Sequence, residues 1–307
     1  MRGLIVGTAA RRQATLAAVA GCLLAAASSH ANADTATVEG NGTSSRAAYR
    51  EAVDAIPLER LAKPQADAVR RCLRSTTLYR RLPSQTIPCD RGLLEFSLEH
   101  PEAIVDLWRV LDISRLTLDP SGRGQWRLAD GYGTVGMLRL LHHDGSPAGG
   151  TMLLIGRGVY SGALSPKPLS GNCLVLLRHA PATPAADGRE RHTIVIDAFL
   201  DMDGIGLEIV TRTLQPLIVK TAGWNVREIC TFISELSNAC EENPEGVARL
   251  TSRLSRTEPA DRERLAAIAR AAGGPRRAAA VVEDDPDRLS LELASRWLPA
   301  DEMPEVR

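Results

Sequence analysis

The chain has 307 residues, 44% of them apolar, with 37 basic against 37 acidic side chains. That is enough apolar material for a packed core in one large domain or two small ones. No basic stripe stands out along the chain, which argues against a nucleic-acid partner.

Residues 1–33 read as a secretory signal. Arg2, Arg11 and Arg12 form a positive start, residues 14–29 are alanine-rich and apolar, and Ala31-Asn32-Ala33 supplies a small-x-small cleavage pattern. The stretch is short for a membrane anchor, and no other segment is long and apolar enough to span a bilayer. Export to a periplasmic or extracellular space is therefore expected, with a mature net charge of about −3 once three arginines are removed. Two variants of the signal are weighed against this. Arg11-Arg12 suggests a twin-arginine route, and Val19-Ala20-Gly21-Cys22 resembles a lipobox that would make Cys22 an acylated N-terminus. Residues 23–27 continue apolar where a polar tether would follow, so cleavage after Ala33 is preferred.

Residues 34–46 are rich in small polar residues and read as a flexible tether. Residues 47–83 have a charged, helical pattern broken at Pro57 and Pro64, predicting one or two short helices on the outside of the domain. Residues 85–90 form a short strand suited to an edge because of Pro88. Two helices follow, over 91–100 and 101–111. Pro101 sits where a first helical position tolerates proline, and Glu102 complements the positive helix end.

Six strands are expected next, over 115–119, 124–129, 135–142, 151–160, 173–179 and 191–202. Asp119-Pro120, Asp130-Gly131, Asp144-Gly145 and Asp187-Gly188 mark turns, and such short connections favour an antiparallel meander. In the last strand Ile194, Ile196, Ala198 and Leu200 share one face.

The longest apolar stripe lies over residues 206–240. Leu207, Val210, Leu214, Leu217, Ile218, Ile229, Phe232, Ile233, Leu236 and Cys240 recur at helical spacing and require burial. Pro216 is expected to kink or split this helix. Asn243 and Pro244 then suit the N-cap and first position of another helix, and a further one over 260–272 stops at Gly273-Gly274-Pro275. Residues 275–307 read as a disordered tail, with a short helix near 289–298.

The order strand, two helices, six strands, long helix resembles the helix-grip fold of the START and SRPBCC superfamily. The resemblance covers residues 84–243 and includes Val105-Asp106-Leu107-Trp108 and the closing helix after Asp201-Met202-Asp203, but no catalytic motif. It implies an α+β domain in which a curved antiparallel sheet of six to seven strands grips the long C-terminal helix, with extra helices at both ends. The segmentation is 1–33 signal, 34–46 tether, 47–83 helical segment, 84–243 helix-grip domain, 244–274 helices and 275–307 tail. A cavity for a lipid-like or aromatic molecule is implied between sheet and helix.

The expected function is thus an exported, non-enzymatic binder of an apolar small molecule. The alternatives are a cyclase- or aromatase-type enzyme using Asp197, His142 or Tyr160, and an envelope scaffold with a filled core. Candidate ligand contacts are Lys220, Thr221, Trp224 and Asn225 in the middle of the long helix, against the reading of a solvent-facing kink, and Arg157, Tyr160 and Asp197 from the sheet. Each of the three sheet residues is also readable as an outward or rim residue.

Gly131-Tyr132-Gly133-Thr134-Val135-Gly136 satisfies G-x-G-x-x-G, but a strand follows where a dinucleotide site needs a helix, so a hairpin loop is expected. Asp197, Asp201 and Asp203 lack the ligand pattern of a calcium loop, with Phe199 and Val210 where oxygen ligands would stand. His142 and His143, beside a turn, are expected to be exposed, with at most one entering the cavity.

Of the five cysteines left after cleavage, Cys72 and Cys89 are the favoured disulfide pair, while Cys230 and Cys240 are too far apart on one helix to bridge. No CxxC or His/Cys cluster has zinc-finger spacing, so neither a metal nor a cofactor is expected.

Overall fold

A computed structural model describes residues 37–39, 42–162, 167–184, 188–203 and 215–273, with positions 289, 293 and 294; for 37–39 and 215–221 the backbone alone is described. The expected signal segment, residues 206–214 of the expected long helix and most of the expected tail lie outside the described residues. The architecture is α+β. Nine described strands form an antiparallel sheet in the order β1-β3-β9-β8-β7-β6-β5-β4, with β2 also pairing β9.

The meander follows the turn chemistry of the sequence. Strands β4 (Thr117–Gly122), β5 (Gln125–Ala129), β6 (Thr134–Ser146), β7 (Gly149–Tyr160), β8 (Leu169–Ala182) and β9 (Arg191–Met202) pair in succession. At the β5–β6 turn Gly131 and Gly133 have φ of 75° and 111°, a region glycine enters without strain. The Asp130 carboxylate accepts hydrogen bonds from the Tyr132 and Thr134 amides at 2.7 and 2.9 Å. The glycine-rich run is therefore a hairpin, as the following strand required.

Two short strands were not expected. β1 (Thr37–Glu39) pairs with β3 (Ser84–Pro88), and β2 (Leu78–Arg81) pairs with β9 at Asp197, Ala198, Phe199 and Leu200. β3 continues along the same edge of β9, opposite Arg191, His192, Thr193 and Ile194. Pro88 ends β3 beyond the reach of β1, where its missing N–H leaves no ladder bond unmade on that side.

Strand alternation divides the core between the two faces of the sheet. On one face Ile87, Leu138, Met152, Leu154, Val175, Ile194 and Ile196 join a large apolar cluster. On the other, Leu153, Leu174, Leu176 and Phe199 join a smaller one. Helices α1 (Arg46–Asp54) and α2 (Lys63–Arg74) cover the smaller cluster through Ala48, Ala52, Val69 and Cys72, so the N-terminal helices do pack on the outside of the sheet.

The larger cluster lies beneath α3 (Arg91–Glu99), α4 (Pro101–Val110) and the long α5 (Gln215–Glu242). Pro216 is the second residue of the described helix. The Asp90 side chain caps α3 by accepting from the Leu93 amide at 2.9 Å, and Pro101 opens α4. Helices α6 (Pro244–Ser252) and α7 (Pro259–Ala272) add Val247, Leu250, Leu265 and Ala269 to the same cluster. Asn243 caps α6 through the Gly246 amide, as its sequence position predicts. In the tail, Leu289, Leu293 and Ala294 are helical and buried in this core.

Candidate functional site

Between the larger face of the sheet and helices α3, α4 and α5 lies a cavity of about 140 Å³. Its walls include Met152, Val175 and Ile196 from the sheet, Ile104 and Trp108 from α4, and Ile233 from α5. Among the described residues Ser97 is the one hydroxyl on the lining. It already donates to the Leu93 carbonyl at 2.7 Å, so it offers a ligand little beyond contact. Such a space gains by enclosing apolar surface: an apolar cavity of about 150 Å³ stays dry and takes a benzene-sized guest.

The expected contact residues lie elsewhere. Among the described side chains of α5, Val226, Ile229, Cys230 and Ile233 line the cavity, while Trp224 is half-buried and Asn225 is buried outside the lining. The side chains of Lys220 and Thr221 lie outside the described residues. Tyr160 is buried at the end of β7, its ring against Gly162, and does not reach the cavity. Arg157 is exposed and donates to Asp203 at 2.8 Å and Asn172 at 3.2 Å.

Asp197 faces the opposite side of the sheet and is completely buried. It accepts from the Tyr79 hydroxyl at 2.7 Å, from Arg81 Nε at 2.8 Å and from Arg178 Nη2 at 3.1 Å. Burial, and then the carboxylate beside it, push the Tyr79 hydroxyl well above its usual range. This carboxylate is a structural anchor between α1, β2 and the sheet, and its distance from the cavity removes it as a ligand contact.

The expected disulfide is corrected as well. Cys72 packs in the smaller cluster and Cys89 in the larger, on opposite faces of the sheet, and both thiols are free. Burial raises Cys72 to about 11 and Cys230 and Cys240 to about 12, as expected of thiols serving as apolar packing.

The histidine pair also departs from expectation. A bulge between Leu140 and His142 shifts the strand register, and both imidazoles are largely buried rather than exposed. His142 bonds to Asp144 at 3.0 Å, on the side of Leu153. His143 turns to the face of Met152, a cavity residue, where its Nε2 stands 3.8 Å from Glu95 on α3. His179 and His192 arrive at the same end of that face from β8 and β9. Strand parity was the signal available in the sequence: His192, Ile194 and Ile196 alternate, as do Val175, Leu177 and His179.

A second cluster, of His100, Glu102 and Asp261, lies where α3 and α4 meet α7. His100 Nδ1 is 3.4 Å from Glu102 and 3.3 Å from Asp261, with Arg264 at its other nitrogen. The Glu102 hydrogen bond leads in holding this imidazole above its ordinary range, so the group is an ion-pair network between helices.

No family model and no curated protein matches the chain. Among solved structures, a hypothetical protein from Helicobacter pylori is similar at a TM-score of 0.31 and 9% identity, covering 53% of this chain and 89% of its own. An uncharacterized protein from Rhizobium leguminosarum is similar at a TM-score of 0.25 and 10% identity, covering 49% and 96% respectively. At these TM-scores neither likeness bears on fold or activity.

Proposed function

We propose that this protein is an exported binder of a small apolar molecule, held between the sheet and α5 in a helix-grip arrangement of the START and SRPBCC kind. The observation that carries the reading is the 140 Å³ apolar cavity at the place where such a fold would hold its ligand. Its volume favours a single aromatic ring or a short aliphatic group over a sterol or a whole lipid. The signal-like residues 1–33 support export, and a mature N-terminus at Asp34 is the corresponding expectation.

The enzyme alternative loses its support with its residues. Asp197 is held by Tyr79 and two arginines on the far face, His142 is bonded to Asp144, and Tyr160 stands outside the lining. The scaffold alternative required a filled core, and the cavity argues against it. Solvent extraction of the purified protein followed by mass spectrometry tests the proposal. A bound apolar compound of about six to ten heavy atoms is expected, the size such a cavity accommodates. Extracts that match those of an unrelated control protein, together with no uptake of added small aromatics, would overturn it.

A further inference from the structure

Three of the six histidines in the chain converge at one end of the sheet, at a carboxylate on α3. Glu95 places Oε2 3.8 Å from His143 Nε2 and Oε1 3.8 Å from His179 Nε2. The His192 ring centre is 6.5 Å from that of His179. None of these contacts is a hydrogen bond. His143 Nε2, both ring nitrogens of His179, both of His192 and Glu95 Oε1 are buried without a hydrogen-bond partner among the described residues.

A buried polar atom with no partner is costly, and native folds rarely tolerate several together. The His179 side chain is 2% exposed and that of His192 is 5% exposed, so bulk solvent does not satisfy them. A neutral imidazole offers one ring nitrogen as a lone-pair donor to an ion.

Glycine at two positions of the β6–β7 hairpin keeps side chains away from two of these atoms. A Cβ at Gly145 would lie 2.7 Å from Glu95 Oε2, and one at Gly150 would lie 2.6 Å from His179 Nε2. Arg91 stands 3.9 Å from Glu95, and Glu190 stands 3.9 Å from His192. With those two opposite charges offsetting, Glu95 remains to balance part of a cation's charge.

We propose that Glu95, His143 and His179, with His192 beside them, form a binding site for a divalent transition-metal ion of the zinc class. The two imidazoles approach different oxygens of Glu95, each at 3.8 Å, and the three ligand atoms do not all lie within 4.8 Å of one another, so an ion would draw both rings toward one side of the carboxylate. Mixed imidazole and carboxylate donors suit zinc and its first-row neighbours better than magnesium or calcium. The ligands come from α3, β6 and β8, far apart in sequence, which is why no metal spacing marks them. Leu94 and Met152, which line the cavity, adjoin Glu95 and His143, so the ion would sit at one end of the apolar space.

The test uses the purified chain stripped with a chelator and titrated with Zn²⁺ by calorimetry and with Co²⁺ by visible absorption. One ion per chain is expected. Glu95→Gln, His143→Gln and His179→Ala should each weaken binding by at least about tenfold, the smallest loss to expect when a ligand itself is removed. His100→Gln should leave it unchanged. Metal addition should raise the Tm of the parent chain and not that of Glu95→Gln, a near-isosteric change that keeps the fold measurable. Absence of binding, binding insensitive to Glu95 and His179, or binding that moves with His100 would each overturn the assignment.

Discussion

Replacing Asp197 separates a structural carboxylate from a ligand-binding one. Its side chain is wholly buried, yet it faces Arg81 and Arg178, whose side chains are 19% and 27% exposed. Four donor atoms, from Tyr79, Arg81 and Arg178, converge on its two oxygens. Asp197→Ala removes the acceptor of a buried hydroxyl and leaves two largely buried guanidinium groups with only the exposed Glu51 carboxylate. Breaking a buried ion pair from one side costs about 3–5 kcal/mol. That approaches the whole stability of a small domain, about 5–15 kcal/mol, so Asp197→Asn is the more measurable variant. Glu51 touches the same two arginines but is 58% exposed, and Glu51→Ala should cost under about 1 kcal/mol. Urea unfolding of the three variants gives the ranking. A loss below about 1 kcal/mol for Asp197→Asn would refute the anchor reading, since charged buried hydrogen bonds are worth more than that. So would unchanged stability with lost ligand binding.

Three further outcomes follow from the same packing. Val175→Ile adds one methylene facing the cavity and should stabilise the fold by about 0.8 kcal/mol while weakening uptake of small aromatics; destabilisation would mean that the space is already filled. The His100 imidazole is raised by Glu102 and Asp261 against opposing burial and Arg264, so its contribution is fully present below its unfolded value of 6.5 and is lost as pH rises through the higher folded value. The Tm difference between the parent chain and His100→Gln should therefore shrink as pH rises across that interval, and a difference that grows would contradict the sign. In a chain beginning at Asp34, the five buried thiols should resist a thiol reagent in the native state and react after denaturation, because burial raises Cys72, Cys89, Cys230 and Cys240; rapid native labelling would refute their packing role.

Local chemistry made much of the fold legible. Pro101, Asn243 and the Asp130-Gly131 turn act within a few residues of themselves, and each marks its element boundary correctly. The alternation in β9 also identifies the inward side of the sheet through Ile194 and Ile196. β2 was hidden because Leu78-Tyr79-Arg80-Arg81 has the composition of an exposed segment, and its pairing depends on Asp197, more than a hundred residues away. Asp197 itself was misread because strand parity says that two faces exist, not that α1 and α2 cover the second. On α5 the small and polar positions suggested room for a ligand, whereas the cavity arises where large side chains from three helices and the sheet fail to meet. The Glu95 cluster needs the β6 bulge to turn His143 inward, and no periodicity in the sequence announces that shift.

The proposed function requires that the space under α5 receive an apolar guest. Calorimetric titration of the delipidated protein with toluene, at two temperatures, tests it most directly. Saturable binding near one per chain, a negative heat-capacity change and weaker binding in Val175→Ile are expected. Absence of saturable heat in both proteins, with no change in Tm on adding toluene, would contradict it.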